Sequence, residues 1–441
     1  MSHQTPPGRA GTPGAPQSRR DPHGWPHAVL AVLASLVAMA VVAGLGLWAA
    51  GAGDLPDGAF PAVVTAVVVM AVGGSVGLSG GAGGIADTDA GLSVVPLSVS
   101  LVGALVIAAG FLRPLRHRAV TDAKELLGWA ARIALLWVLV LVGLGLVAGH
   151  RFTIELGEGT AADIGDLLGA SPKVGFETDV LPTVVFGLLW LAGVFAMALL
   201  VSRGAPLPAR LVRFQESVRP AAYAMLVLLL AYVALGLVIG VIVAATQGHT
   251  AETLAVLLLG LPNLLWLAFT LGLGASWEGR VDGPFGLPMP RVLDQVLRTP
   301  SDSTLNLRTL SDHDDRVWLL LVVAAVMVLG AAFVMAARSP ARMRAWQHAV
   351  HMAVALALTV FTVCLLAGVS AHAGLSLLGI GDLGGGLTGL VKLRPNLGTA
   401  VLLAVAWGLG GRGGFGGSHR ERENQREKGG GKKNEKQKKD P

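Results

Sequence analysis

The apolar segments of this chain contain no Asp, Glu, Lys or Arg. Charged residues make up 14% of the 441 residues and hydrophobic residues 53%, whereas soluble domains carry about 25% charged residues. A charge at the centre of a bilayer costs a few kcal/mol, so membrane-spanning segments lack charges. The composition therefore excludes a soluble globular protein and indicates a polytopic membrane protein.

Cysteine is nearly absent, and polar clusters are absent from the apolar segments. Cys364 is the only cysteine, so an intrachain disulfide is excluded. No buried acid, base or ligand cluster indicates an enzyme, so we predict no cofactor and no metal. The net charge of +6 does not indicate nucleic-acid binding, because the basic residues lie in short loops and a tail beside the apolar segments.

What the chain does contain is ten uncharged segments. They cover residues 28–50, 60–81, 94–112, 133–148, 180–201, 221–245, 253–275, 317–337, 348–371 and 397–411. Most reach the ~20 residues that a helix needs to cross ~30 Å of hydrocarbon. Gly236 and Gly240 form a small-xxx-small pair, which suits close helix packing in lipid. The sequence predicts an all-α polytopic membrane protein.

The two ends of the chain differ from this apolar middle. Residues 1–24 are rich in Pro, Gly, Ser and Arg, and residues 413–441 are Gly-rich and then charged. Both are predicted to be disordered tails, and the basic C-terminal tail is predicted to contact anionic headgroups. The residues 18–21 resemble the start of a twin-arginine signal, but the apolar run that follows is too long for a signal peptide. We therefore expect an uncleaved first helix.

The distribution of Lys and Arg predicts the topology. If all ten segments span the membrane with the N-terminus inside, 18 of the 34 Lys and Arg lie inside, which is no bias. If segments 60–81 and 253–275 enter and leave on one face, 25 lie inside, in agreement with the positive-inside rule. This predicts eight spanning helices and two re-entrant segments in the plasma membrane. Both termini are then cytoplasmic, as are the loops 113–132, 202–220 and 338–347.

Each re-entrant segment contains a break. Gly73-Gly74-Ser75 interrupts the first segment, and Pro262-Asn263 interrupts the second, where proline removes a backbone donor. Unwound backbone at membrane depth is tolerated where it is buried in protein or lines a wet cavity. These five residues are therefore the predicted lining of a substrate path. An ordinary proline kink in a spanning helix is the alternative for Pro262.

The two breaks occupy corresponding places in two five-segment halves. A Pro-x-Arg-x-Arg-Ala motif at 114–119 recurs at 340–345, and the pattern that begins at His150 recurs from His372. The shared order predicts a tandem duplication in parallel orientation. The two predicted membrane repeats are residues 25–215 and 216–412.

The outward loops are acidic and contain short alternating runs typical of strands. Residues 152–156 alternate in this way, and residues 174–178 could pair with them. Residues 390–393 form a similar run in the second half. Short external β-hairpins are therefore predicted.

Two motifs resemble functional sites. Gly77-Leu78-Ser79-Gly80 resembles the motif of rhomboid intramembrane serine proteases, for which His150 or His372 would be the base. Gly and Ser are so frequent here that chance matches are expected, so catalysis is not favoured. The acidic run 312–315 resembles a metal cluster, but a helix cap from Asp314 or Asp315 is the favoured interpretation.

Three runs of residues resemble a known family. They are Val72-Gly73-Gly74-Ser75-Val76, the run from Ser98 to Ala104, and the run from Asp282 to Arg291. The chain resembles the streptophobe family, which comprises very hydrophobic, uncharacterised membrane proteins of streptomycetes. The resemblance implies a cell-membrane location and supplies no activity. Residues 79–92 depart from it, and we expect them to be Gly-rich and less structured.

These observations favour a transporter-like or channel-like bundle. The lack of intramembrane charge indicates a neutral or lipid-like solute, because ion-coupled carriers usually keep a charged group. The first alternative is a non-transporting membrane partner or scaffold that binds another membrane protein through its outer loops or basic tail. The second is an intramembrane serine hydrolase that uses Ser79.

Overall fold

A computed structural model describes most of the chain outside the two tails. The described residues are 24–55, 58–82, 86–117, 123–148, 150–153, 173–202, 209–246, 248–282, 291–298, 302–339, 344–377 and 389–410. Within them the helices are α1 (Trp25–Ala49), α2 (Ala59–Ala71), α3 (Leu97–Leu112), α4 (Ala123–Ala148), α5 (Val180–Val201), α6 (Ala209–Thr246), α7 (Thr250–Gly272), α8 (Arg291–Leu297), α9 (Leu307–Ser311), α10 (Trp318–Arg338), α11 (Ala345–Ala367) and α12 (Leu397–Gly410). The predicted disordered tails lie outside the described residues.

Most of these helices suit a bilayer. In the described part of the chain, seven helices are long and apolar enough to cross a membrane, namely α1, α4, α5, α6, α7, α10 and α11. The helices α2, α3 and α12 are apolar but shorter. Large apolar side chains on these helices are exposed, as at Leu181 (75%) and Leu402 (71%), which is the surface that lipid covers. The predicted fold class, an all-α polytopic membrane protein, is confirmed.

Eight strands form one antiparallel sheet beside the helices. They are β1 (Val76–Ala82), β2 (Ala86–Ser93), β3 (His150–Thr153), β4 (Lys173–Thr178), β5 (Trp277–Asp282), β6 (Ser303–Leu305), β7 (Val369–Leu377) and β8 (Gly389–Pro395). Their order across the sheet is β3-β4-β1-β2-β7-β8-β5-β6. The strands follow α2, α4, α7 and α11 and lead into α3, α5, α10 and α12. These helix ends therefore share one side of the bundle, which we call the sheet side.

The direction of α1 follows from its contacts with α3. The hydroxyl of Ser35 on α1 donates to the carbonyl of Gly103 on α3, 3.0 Å away. Gly110, near the end of α3, packs against Ala31, near the start of α1. The two helices are antiparallel, so α1 ends on the sheet side, where α3 begins.

The start of α6 lies on the side opposite the sheet. Gln215 Nε2 donates to the carbonyls of Leu199 and Ser202 at the end of α5. The guanidinium carbon of Arg338, at the end of α10, lies 3.7 Å from the ring centroid of Tyr223 on α6. Eight helices, α1, α3, α4, α5, α6, α10, α11 and α12, therefore run between the two sides.

The helices α2 and α7 begin and end on the sheet side. With 13 residues, α2 is about 20 Å long, and it connects the sheet-side end of α1 with β1 of the sheet. Although α7 is long enough to cross, Leu259 packs against Gly46 at the end of α1, and Gly272 packs against Leu320 at the start of α10. These contacts are about 20 Å apart along α7, yet both involve sheet-side ends. α2 and α7 are thus the two segments that return to the sheet side, as predicted for segments 60–81 and 253–275. That the other eight helices cross a bilayer stays a prediction.

The expectation of a less structured loop at 79–92 is wrong. β1 and β2 occupy this region and pair along their whole length, from Val76 opposite Leu92 to Ala82 opposite Ala86. β1 also pairs with β4, so its backbone groups have partners on both sides. Gly and Asp are depleted in strands, so the Gly-rich composition of this region did not predict these two strands.

The predicted pairing is present in part, since β3 ends at Thr153 and residues 154–156 lie outside the described residues. Phe152 lies opposite Val174 in the β3–β4 pair, and residues 390–393 lie in β8, which pairs with β7. The correspondence of His150 with His372 differs from the prediction. Counted from the ends of α4 and α11, His150 corresponds to Val369, three residues before His372.

The order of elements in residues 25–201 recurs in residues 209–410. Each half has two helices, two strands, two helices, two strands and a final helix, with α8 and α9 added around β6. Val76 pairs with Leu92 and Thr178, and Trp277 pairs with Leu305 and Pro395. The two halves of the sheet therefore share one strand order and the same register at β1 and β5.

Each half also has its own hydrophobic core. One cluster of buried side chains extends from Ala28 to Ala198, and a second extends from Ala221 to Ala404. Cys364 is buried in the second, where it is a small core residue. Gly236 and Gly240 pack α6 against α7, as the small-xxx-small pair predicts.

Candidate functional site

The glycines of the first predicted break form the end of α2. Gly73 has φ of 94°, and its amide donates to the carbonyl of Met70, while the Gly74 amide donates to that of Val69. This is a helix C-terminus closed by a left-handed residue, which glycine adopts without strain. Ser75 follows as an exposed residue before β1.

The second predicted break lies inside α7 and is bound by the first half of the chain. Asn263 Oδ1 accepts a hydrogen bond from the amide of Leu97, at 3.0 Å, and Nδ2 donates to the carbonyl of Val95, at 2.8 Å. The two bonds hold the start of α3 against α7. Because both ends of the amide have protein partners, the contacts of Asn263 identify it as a clamp between the halves.

Ser98 completes this clamp one turn away. Its hydroxyl donates to the carbonyl of Leu257, at 2.9 Å, and accepts from the amide of Leu261, at 3.2 Å. These two backbone groups are i and i+4 partners in α7, so the hydroxyl bridges a position of the helical ladder next to Pro262. The Ser98 hydroxyl therefore adds a second hydrogen-bonded link between the start of α3 and α7.

The two predicted breaks are not equivalent positions. The turn after α7 repeats the one after α2: Gly274 has φ of 94°, and the amide of Ala275 donates to the carbonyl of Thr270. Gly274 is therefore the counterpart of Gly73, and the same spacing makes Pro61 the counterpart of Pro262. The structure does not bring the Gly73 break and the Pro262 break to matching places, and the substrate path through them stays a prediction.

Ser79 does not lie at a nucleophile turn. It is in the middle of β1, opposite Asp89 on one side and Gly175 on the other. His150 lies in β3, two strands or about 10 Å from β1. It is in the register row of Leu78, which is next to the row of Ser79. His372 is also two strands away, in the row of Gly77. The register therefore does not assemble a Ser–His pair.

The acidic run before α10 forms a cap. Asp314 Oδ1 accepts from the amide of Arg316 at 2.9 Å, in the turn that leads into the helix. Within the described residues, no group of three or more His, Cys, Asp or Glu could hold a metal ion. Asp314 therefore caps the 3₁₀ turn Asp315–Val317, whereas the predicted cap of α10 itself is wrong, because α10 follows Val317 without a side-chain cap.

A groove of about 760 Å³ lies between the two halves, on the side opposite the sheet. α3 and α5 form one wall, α6 forms the other, and Arg338 of α10 lies at the end. Ala104, Ala108 and Ala109 leave room along α3. The volume lies within the ~300–1,000 Å³ of typical ligand sites.

The groove is apolar along its length and positively charged at one end. Its lining on α3 runs from Leu101 to Leu112, about 16 Å of helix, which is close to half of the ~30 Å hydrocarbon thickness. Among the described lining residues, the charged ones are Arg219 and Arg338, and they lie at the end farthest from the sheet. The groove therefore combines an apolar wall along most of α3 with positively charged side chains at one end.

In the sequence, Arg219 and Arg338 contributed only to the predicted topology, and their position in the lining of the groove was not predicted. The available signal was a pair of arginines at helix ends together with small residues four apart on a neighbouring helix, Ala104 and Ala108. These residues indicate a site only when the fold shows which helices are neighbours.

The fold defines a polytopic membrane protein, and the groove is an apolar cleft between its helices. No family model matches the chain, and no curated protein or solved structure matches it.

Proposed function

We propose that the protein is a transporter-like bundle for a lipid-like solute, which it takes up in the groove between α3, α5 and α6. The observation that carries this proposal is the apolar groove itself, because its volume suits an acyl chain and its wall on α3 is apolar over about 16 Å. A lipid-like solute also agrees with apolar segments that lack charged residues.

The proposed setting is the plasma membrane, with the side opposite the sheet in the cytoplasm. This orientation places 25 of the 34 Lys and Arg inside. The end of the groove that carries Arg219 and Arg338 then faces the cytoplasm. The resemblance to the streptophobe family supports the same location and leaves the solute open.

Filling the groove tests the proposal. Ala109 lines the groove and is exposed, so Ala109→Trp fills the space without displacing core side chains. Proteoliposomes with a fluorescent NBD-labelled phospholipid report its exchange between leaflets through quenching by dithionite. We expect wild-type protein to accelerate the exchange and Ala109→Trp to return it to the rate of protein-free liposomes.

The matched control is Leu329→Trp, which adds the same bulk on the lipid-facing side of α10, where Leu329 is 57% exposed. This variant should exchange lipid as wild type does. Wild-type protein that exchanges no lipid would favour the scaffold alternative, for which the eight-stranded sheet on one side of the bundle offers a binding surface.

A further inference from the structure

Four of the ten tryptophans are exposed, and all four lie at helix ends. Trp25 begins α1 and Trp48 is its last residue but one, while Trp318 begins α10 and Trp346 is the second residue of α11. Their exposed fractions lie between 49% and 69%. The other six tryptophans are buried or half-buried, so exposure of this large side chain is confined to the ends of helices.

The exposed tryptophans form two pairs on opposite sides of the bundle. Trp25 and Trp346 lie opposite the sheet, where α1 and α11 begin, and Trp48 and Trp318 lie on the sheet side. Trp25 and Trp48 are 23 residues apart on α1, which is about 35 Å. A bilayer has ~30 Å of hydrocarbon, and tryptophan is enriched at both of its interfaces, where the ring is in apolar surroundings and the N–H is wet. The spacing on α1 therefore matches that of two bilayer interfaces.

One end of the groove lies about midway between the two pairs. The hydroxyl of Ser35 on α1 donates to the carbonyl of Gly103 on α3. Ser35 is ten residues from Trp25 and thirteen from Trp48, so this contact is close to the middle of α1. Leu101, where the groove's wall on α3 begins, is two residues from Gly103. The wall therefore begins near the level halfway between the two interfaces.

The other end of the groove lies near the level of Trp25. Gly110 on α3 packs against Ala31 on α1, which is six residues or about 9 Å from Trp25. Leu112, where the wall on α3 ends, is two residues or about 3 Å closer to the level of Trp25, because the two helices are antiparallel. About 6 Å of helix therefore separates the end of the wall from the level of Trp25.

We infer that the four tryptophans lie at the two interfaces of the bilayer, and that the groove takes up its lipid-like solute from the leaflet on the side opposite the sheet. The position in the bilayer rests on the tryptophans, and the leaflet of uptake rests also on the proposed function. An acyl chain along α3 then extends from near the interface at Trp25 to the middle of the bilayer. In the proposed orientation this is the cytoplasmic leaflet.

Electron paramagnetic resonance of nitroxide labels tests the position in the bilayer. In full-length protein with Cys364→Ser, single cysteines replace Val29, Val37 and Leu45, which are exposed on α1 and spaced eight residues apart. In phosphatidylcholine liposomes, the collision rates of each label with oxygen and with a nickel chelate give its depth. We expect Val37→Cys to be deepest and the other two labels to be about 12 Å shallower. A depth that changes in one direction from Val29→Cys to Leu45→Cys would overturn the position.

A phospholipid with a photoreactive diazirine at the end of its acyl chain tests the leaflet of uptake. The probe is added on ice to intact cells or to inverted membrane vesicles and irradiated at once, so it is still in the leaflet that it entered. Reaction of Glu278→Cys with an impermeant thiol reagent shows which preparation exposes the sheet. We expect peptides of α3 and α5 to be labelled several-fold more when the probe enters from the side opposite the sheet.

Ala109→Trp separates the groove from the outer surface of the bundle, and it should remove this labelling. Labelling that Ala109→Trp leaves unchanged, or that comes mainly from the sheet side, would overturn the leaflet of uptake. The proposed function fails in a different way. If wild-type protein exchanges no NBD-labelled phospholipid while the label depths are as expected, the proposed function is overturned and the position in the bilayer stands.

Discussion

Asn263 shows how one polar side chain is used in an apolar bundle. Its amide satisfies a donor and an acceptor at the start of α3, while Ser98 satisfies two backbone groups of α7 next to Pro262. Unpaired backbone groups are costly in a medium without water. The polar residues at this junction therefore join the halves by hydrogen bonds.

Replacing Asn263 should loosen this junction. In Asn263→Leu the amide of Leu97 and the carbonyl of Val95 lose their partner, which should lower the free energy of unfolding by about 1–3 kcal/mol. The measurement is unfolding of the purified protein followed by tryptophan fluorescence. Thr359→Val is the matched control, because the Thr359 hydroxyl bonds only within its own helix. Equal effects of the two substitutions would contradict the clamp.

Glycine contacts set the distance between helices at the scale of elements. A Cβ on Gly272 would meet the backbone carbonyl of Leu320 and the side chain of Ala324, so α7 touches α10 through backbone atoms. Gly408 packs against the backbone of Ala353 in the same manner, between α12 and α11. Small residues allow this close approach, which replaces the missing hydrophobic driving force in lipid.

Gly272→Ala should therefore destabilise the protein by about 1–3 kcal/mol, because two backbones would have to move apart. Gly330→Ala on α10 is the control, since no atom lies within 4 Å of the added Cβ. Alanine there should be neutral or stabilising by up to about 1 kcal/mol through its higher helix propensity. Thermal unfolding of both variants checks the difference, and a stabilising Gly272→Ala would show that α7 does not approach α10 so closely.

The sequence patterns predicted the helices, and the side of the bundle on which each begins, better than they predicted the strands. Runs without charge located the ten segments, and the charge count separated segments 60–81 and 253–275 from the others. β1, β2 and β5 were missed because pairing with distant strands, such as β1 with β4, leaves little local signal. The groove was missed for a related reason, since its two walls are distant in sequence.

At the scale of the whole molecule, one pair of strands in the described sheet joins the two halves of the chain. β2 of the first half pairs with β7 of the second, so β3 and β6 are left at the two edges of the described sheet. β6 has only three residues, and its counterpart β2 has eight. Short edge strands are a common means of preventing further pairing. The added helices α8 and α9 flank this shortened strand in the chain.

The topology of the second half depends most on α7 returning to the face it leaves, and labelling both of its ends tests this directly. Glu252 lies in the first turn of α7, Glu278 lies in β5 after its end, and both are exposed. In a Cys364→Ser background, single cysteines at these positions are treated in intact cells with a membrane-impermeant thiol reagent, and Lys124→Cys serves as the inside control. We expect both Glu252→Cys and Glu278→Cys to react and Lys124→Cys to be protected. Reaction at only one of the two α7 positions would mean that α7 crosses the membrane, which would contradict the account.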